Sequence, residues 1–113
     1  MQNWNSYRDS LLQYVAKFAK LAPDTMRGLS AMEAGTNKIG QLDAKTHELI
    51  ALAVAVTTRC DGCISIHSKK AIEAGATKEQ IAEALSVAIS LNAGAALTYS
   101  ARVLEAVENL AEH

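Results

Sequence analysis

ELIALAVAVTTRCDGCISIH, residues 48–67, opens on a carboxylate, runs through an apolar stretch from Leu49 to Val56, and closes on two cysteines and a histidine. If the chain is helical from about Cys60, then Cys60, Cys63 and His67 fall at i, i+3 and i+7. At about 100° per residue they share one face of the helix. Cys63 and His67 are an i,i+4 pair, so their side chains can touch. Glu48 belongs to the preceding helix and has to reach this face from across the packing interface. A carboxylate opening an apolar run is costly if buried alone, and pairing with a histidine removes that cost. His47 points about 100° away from Glu48 on a helix and reads as a surface histidine.

The residues on either side of this stretch are helical in character. Alanine, leucine, glutamate and lysine are frequent, there is one proline, and aromatic residues make up 4% of the chain. No period-2 strand or Asn-Gly hairpin signal stands out. Residues 6–20 carry Leu11, Leu12, Val15, Phe18 and Ala19 at helical spacing, and this helix should end before Pro23. A second helix is expected over 24–34, closed by Gly35. Asp43 caps a third that runs to Thr58. Asp61-Gly62 marks a tight junction to a fourth, which ends near Gly75. Thr77 and Gln80 form a capping-box pattern for a fifth. Asn92 and Gly94 are expected to divide that helix from a last one ending near Leu110. The expectation is an all-α fold of five to six helices forming one domain over residues 1–113.

Bulk properties narrow the function classes. Half the residues are apolar, 20% are charged, and the net charge is −1. That is a globular balance, with no electrostatic footprint for nucleic acid or an anionic membrane. The polar N-terminus, with Trp4, Asn5, Arg8 and Asp9, lacks the basic-then-apolar order of a secretory signal. The uncharged run Ala84–Ala101 is long enough to span a bilayer but is diluted by Ser86, Ser90, Asn92, Thr98 and Ser100. A buried helical hairpin is the expected reading, and the membrane is not an expected partner. Two cysteines in a chain expected to be cytoplasmic do not suggest a disulfide framework. Their CxxC spacing points to redox chemistry or metal binding. The alanine-rich C-terminal half offers more apolar surface than one short chain can cover, so a homo-oligomer is expected.

The chemistry needs more than a thiol. A free cysteine has a pKa of about 8.5 and reacts only as thiolate. A helix N-terminus, His67 as proton acceptor and Arg59 nearby could each lower it. A drop of about two units would raise the thiolate fraction roughly 25-fold at pH 7 and cut intrinsic nucleophilicity roughly 8-fold, a net gain of only about threefold. A group that delivers a proton to the leaving atom is therefore required as well. His67, oriented and recharged by Glu48, suits that role. A second thiol two residues away traps a sulfenic acid as a disulfide. The same residues also suit zinc: Cys60, Cys63 and His67 offer three ligands, with His47 or Glu48 as a fourth. At this level redox and metal readings both stand, beside a third in which the thiols are incidental to an oligomeric scaffold.

Glu48, eleven intervening residues, Cys60, two residues, Cys63, three residues, His67 resembles the signature of the AhpD-like alkylhydroperoxidases of the carboxymuconolactone decarboxylase superfamily. The resemblance runs through Lys45–Ala76, including Ala71 and Gly75, and again over Asn92–Ala106, which looks like the family's closing helix. It implies an all-helical fold assembled as trimers or hexamers. It also implies peroxide reduction or disulfide exchange, with Cys60 and Cys63 cycling between dithiol and disulfide. His67 and Glu48 would form a proton relay, often through a water. Cys60 would be the more exposed thiol and Cys63 the one paired with His67. Hydroperoxide or disulfide would be the substrate and an external dithiol the reductant, with no cofactor and no metal. This chain departs from the best-studied members in carrying Gly62 where they have a histidine. Decarboxylase members generally lack the CxxC, so lactone decarboxylation is not the implied activity.

Overall fold

In a computed structural model, which describes residues 1–110, the chain forms five helices and, among those residues, no strand. They are α1 (Trp4–Leu21), α2 (Pro23–Ile39), α3 (Ala44–Thr58), α4 (Asp61–Glu73) and α5 (Lys78–Leu110). His113 lies outside the described residues.

Local chemistry sets most of the boundaries. Asn3 caps α1 by accepting from the Ser6 amide at 3.0 Å. Pro23, which has no N–H to leave unsatisfied, takes the first position of α2. Asp43 caps α3 by accepting from the Thr46 amide at 2.8 Å. Hydrogen bonds from the Thr46 side chain and backbone hold the Asp43 carboxyl below its usual range, so the cap stays ionised into mild acid. At the start of α5 the capping box is reciprocal. The Gln80 amide donates to Thr77 Oγ1 at 3.1 Å, and the Thr77 amide donates to Gln80 Oε1 at 3.0 Å.

Two expected breaks are absent. α2 runs through Gly35 and stops at Gly40, whose φ of 66° lies in the left-handed region that terminates helices. α5 is a single 33-residue helix, undivided at Asn92 and Gly94. The Asn92 amide donates to Thr57 Oγ1 of α3 at 2.8 Å, so it ties two helices together instead of competing with its own backbone.

The core lies where α3 meets α4 and α5: Leu52, Ala71 and Ala76 are buried, with Leu49, Ile81 and Leu85 packed against them. It is small. Among the described residues only Ala55, Ala88 and Ser65 are also buried. The uncharged run at 84–101 is not a buried hairpin: Ala88 is the one buried residue of α5. By length and composition α5 is long and apolar enough to cross a membrane, yet only 6% of its most apolar window is buried. α2 packs closely against α1 alone. The radius of gyration is 19.0 Å, against about 13 Å for a compact domain of about 100 residues.

α1 uses only part of the face its apolar periodicity suggests, Leu11 and Ala19. Its half-buried residues are Trp4, Tyr7, Arg8 and Leu11, at i, i+3, i+4 and i+7, and, near its end, Ala19. Leu12, Val15 and Phe18 remain exposed. The docked face lies on α4, the helix that carries the cysteines.

Candidate functional site

The α3–α4 junction places the sulfurs. α3 ends on Arg59, which adopts the left-handed conformation at φ 56°. The Arg59 and Cys60 amides both turn back to the Ala55 carbonyl, the latter at 3.0 Å. This tight reversal leaves one extended residue, Cys60, before α4 begins at Asp61. Cys60 is thus not inside the helix, as its i, i+3, i+7 spacing suggested, but is the helix cap. Its Sγ accepts from the Cys63 amide at 3.1 Å. The sulfur therefore sits at the positive end of the α4 dipole, a position that favours thiolate when the pair is reduced.

Cys60 and Cys63 are joined in a disulfide, with Cα atoms 5.2 Å apart. His67 lies one turn beyond Cys63. Its Nδ1 is 2.6 Å from Glu48 Oε2, with the two side chains 31% and 17% exposed. The carboxylate thus meets the ring directly, without the intervening water often implied by the resemblance. With Nδ1 engaged by Glu48, Nε2 is the ring atom left for proton exchange. The packing of α3 on α4 brings these two residues together from nineteen positions apart.

A cleft of about 370 Å³ opens beside this pair, lined by Glu48 and His67 together with His47, Leu42, Ile50, Ala51 and Lys70 and, from α2, Glu33, Thr36 and Asn37. His47 is therefore a half-buried wall of the cleft and not simply a surface group. The cysteines do not line it, so the carboxylate and imidazole share a cavity that the sulfurs do not enter. Among the described residues no group of three or more Cys, His, Asp or Glu side chains is arranged to hold a metal ion. The zinc reading thus has no preassembled site in this oxidised form.

The residues that sequence reasoning missed are on α1. Arg8 Nε donates to the Ser65 carbonyl of α4 at 2.6 Å, and Ser65 Oγ donates to the Gly62 carbonyl at 2.9 Å. A methyl group placed on Gly62 would stand 3.1 Å from Leu11 Cδ2 and 3.9 Å from the Tyr7 hydroxyl. Gly62 thus admits α1 to the dithiol turn. Its replacement by alanine should gain little stability: a helix-propensity benefit of up to about 1 kcal/mol is offset by crowding. In a Leu11→Ala background the benefit should reappear. A double-mutant cycle by urea unfolding should return a coupling of about 0.5–1 kcal/mol, and additivity would remove the contact from the account.

Comparison with known proteins places the geometry in context. Residues 23–106 match the model of the carboxymuconolactone decarboxylase family. An uncharacterised protein of Haemophilus influenzae is 47% identical over 104 residues, covering 92% of each chain. A solved structure of a carboxymuconolactone decarboxylase family protein from Legionella pneumophila superposes with a TM-score of 0.74 at 39% identity, covering 94% of this chain and 95% of that one. The alkyl hydroperoxide reductase AhpD of Corynebacterium kroppenstedtii is 40% identical over 55 residues, 49% of this chain and 31% of that protein.

Proposed function

The chain belongs to the carboxymuconolactone decarboxylase family, and from that membership we propose that it is a thiol-dependent peroxidase or disulfide reductase of the AhpD-like kind. The observation that carries the reading is the bonded Cys60–Cys63 pair one helical turn from an imidazole held at 2.6 Å by Glu48.

In the peroxidase direction a cysteine thiolate attacks the terminal peroxide oxygen. An S–O bond forms, the O–O bond breaks, and the alkoxide leaves as alcohol with a proton from His67. The second thiol then attacks the sulfenic sulfur, forming the S–S bond and releasing water. An external dithiol reduces the disulfide by exchange and is itself oxidised. The cycle consumes one hydroperoxide and one dithiol and yields alcohol, water and a disulfide. Glu48 holds the His67 ring in one orientation, with Nδ1 against the carboxylate. Both sulfurs have a device that favours ionisation: Cys60 has the helix amides, and Cys63 has His67 one turn away. The need for a dithiol donor accords with the cytoplasm, where thiols are kept reduced.

The exposed apolar faces support assembly with further copies of this chain, as a homotrimer or homohexamer. Leu97, Leu104 and Val107 lie along one side of α5 and are all more than half exposed. Ser90, Asn92, Thr98 and Ser100 along the same helix suit a protein interface better than hydrocarbon.

Thiol titration tests the activity. The reduced protein should show two reactive thiols per chain. Stoichiometric alkyl hydroperoxide should remove both, and a dithiol should restore them. If both remain titratable after hydroperoxide, the peroxidase reading fails and only disulfide exchange survives.

A further inference from the structure

We propose, resting on the thiol redox reading, that Leu11 and Tyr7 of α1 determine which substrates reach the Cys60–Cys63 pair. They favour hydroperoxides unbranched at the peroxide-bearing carbon over those with a fully substituted one.

On α4, Cys63 lies between two walls. At about 100° per residue, Gly62 is one step round α4 from Cys63, and His67 lies about 40° beyond Cys63 in the same direction. α1 stands against the Gly62 side, with Leu11 Cδ2 3.1 Å from where a β-carbon would sit. Glu48 of α3 stands against the His67 side, at 2.6 Å. Substrate thus approaches through the slot between α1 and α3. In-line attack on the terminal peroxide oxygen directs the O–O axis outward along this slot. The carbon on the leaving oxygen then lies between the walls, where extra methyl groups meet Leu11 and the Tyr7 ring.

The α1 wall is fixed in place. Arg8, one turn back along the same face, donates to the carbonyl of Ser65, which is 1% exposed. Trp4 supports the Tyr7 ring edge-on, with centroids 6.0 Å apart. Trp4, Tyr7, Arg8 and Leu11 are the half-buried residues of this part of α1, so the helix docks through the residues that form and brace the wall. Leu11 makes the wall apolar, which suits an alkyl chain better than a charged disulfide. The absence of a side chain at Gly62 brings the wall this close.

The test compares wild type with Leu11→Ala and, as a second variant, Arg8→Ala, each checked for native helicity. Rates of thiol oxidation by a primary alkyl hydroperoxide and by a tertiary aryl hydroperoxide are each normalised to the rate with a simple thiol. Wild type should prefer the primary compound by about tenfold or more, the scale of discrimination that a few methyl groups command in a fitted site. Leu11→Ala should bring the two within about threefold, chiefly by accelerating the tertiary one. In parallel, the reduced proteins are alkylated with iodoacetamide and with a bulky N-aryl maleimide. Both variants should raise the maleimide rate relative to iodoacetamide. Equal normalised rates in wild type, or a preference and an alkylation ratio unchanged by both variants, would overturn the wall. If no hydroperoxide oxidises the thiols, the peroxidase reading falls. The alkylation ratio then decides the wall on its own.

Discussion

His67→Ala should lower the rate of hydroperoxide-driven thiol oxidation by about 10²–10³-fold at pH 7 and by a severalfold smaller factor at pH 9. The expectation follows from the contact at 2.6 Å between Nδ1 and Glu48, which commits one ring nitrogen to a carboxylate and leaves Nε2 to exchange protons. At pH 7 the imidazole has two tasks: to take the thiol proton and to return one to the departing alkoxide. Above about pH 8.5 an ordinary cysteine ionises unaided. The first task then lapses, and part of the loss goes with it. Glu48→Gln should fall between wild type and His67→Ala, because an amide can hold the ring but holds it less tightly than a carboxylate does. Stopped-flow measurement of thiol loss across pH 6–9 checks both variants. A His67→Ala deficit of the same size at both ends of the range would assign the imidazole to proton delivery or to structure, and not to thiol ionisation.

The second large effect concerns assembly. Leu97→Asp should dissociate the proposed oligomer, raising its dissociation constant by about a hundredfold or more, equivalent to about 2.7 kcal/mol. Leu97 is 75% exposed in the single chain and belongs to a helix with one buried residue in thirty-three. Burying a leucine of this kind is worth about 1.5–3 kcal/mol, and a carboxylate in its place adds a desolvation cost. The small core and the 19.0 Å radius of gyration indicate that an isolated chain leaves much of its apolar surface in water. Thermal stability should fall with the loss of assembly, since burial between copies would add to a core that is thin on its own. Sedimentation of wild type and variant from micromolar to submillimolar concentration measures the change. A wild type that sediments as a 12 kDa species throughout would refute the interface outright.

The parts of this protein legible in its sequence are those written in short spacings. The cap at Asp43 and the capping box at Thr77–Gln80 lie within four residues, and both form as expected. The Cys63–His67 relation is one helical turn. Glu48 could be matched to His67 because an acid at the head of an apolar run needs a partner, and packing α3 on α4 supplies it. What the sequence concealed depends on distant residues. Asn92 looks like a helix breaker until Thr57, thirty-five positions away, takes its amide proton. The apolar periodicity of α1 pointed to Leu11, Leu12, Val15, Phe18 and Ala19, of which Leu12, Val15 and Phe18 stay exposed. The face actually used is anchored by Arg8 on a carbonyl fifty-seven positions distant. No local pattern encodes that bond. Gly62 was the one visible hint, since a missing side chain beside a cysteine invites close approach by another element.

The cap at Cys60 reverses a common intuition about dithiol proteins. A cross-link ordinarily makes the oxidised form the stiffer one. Here the sulfur of Cys60 also begins a helix, and as part of a disulfide it is a weak acceptor for the Cys63 amide. Reduced and ionised, it becomes a charged acceptor facing the same amide, and the bond strengthens. Cutting the covalent bridge therefore tightens the non-covalent one. The first turn of α4 should then keep its order when the pair is reduced, and the Cys60 sulfur need not abandon its scaffold in order to react.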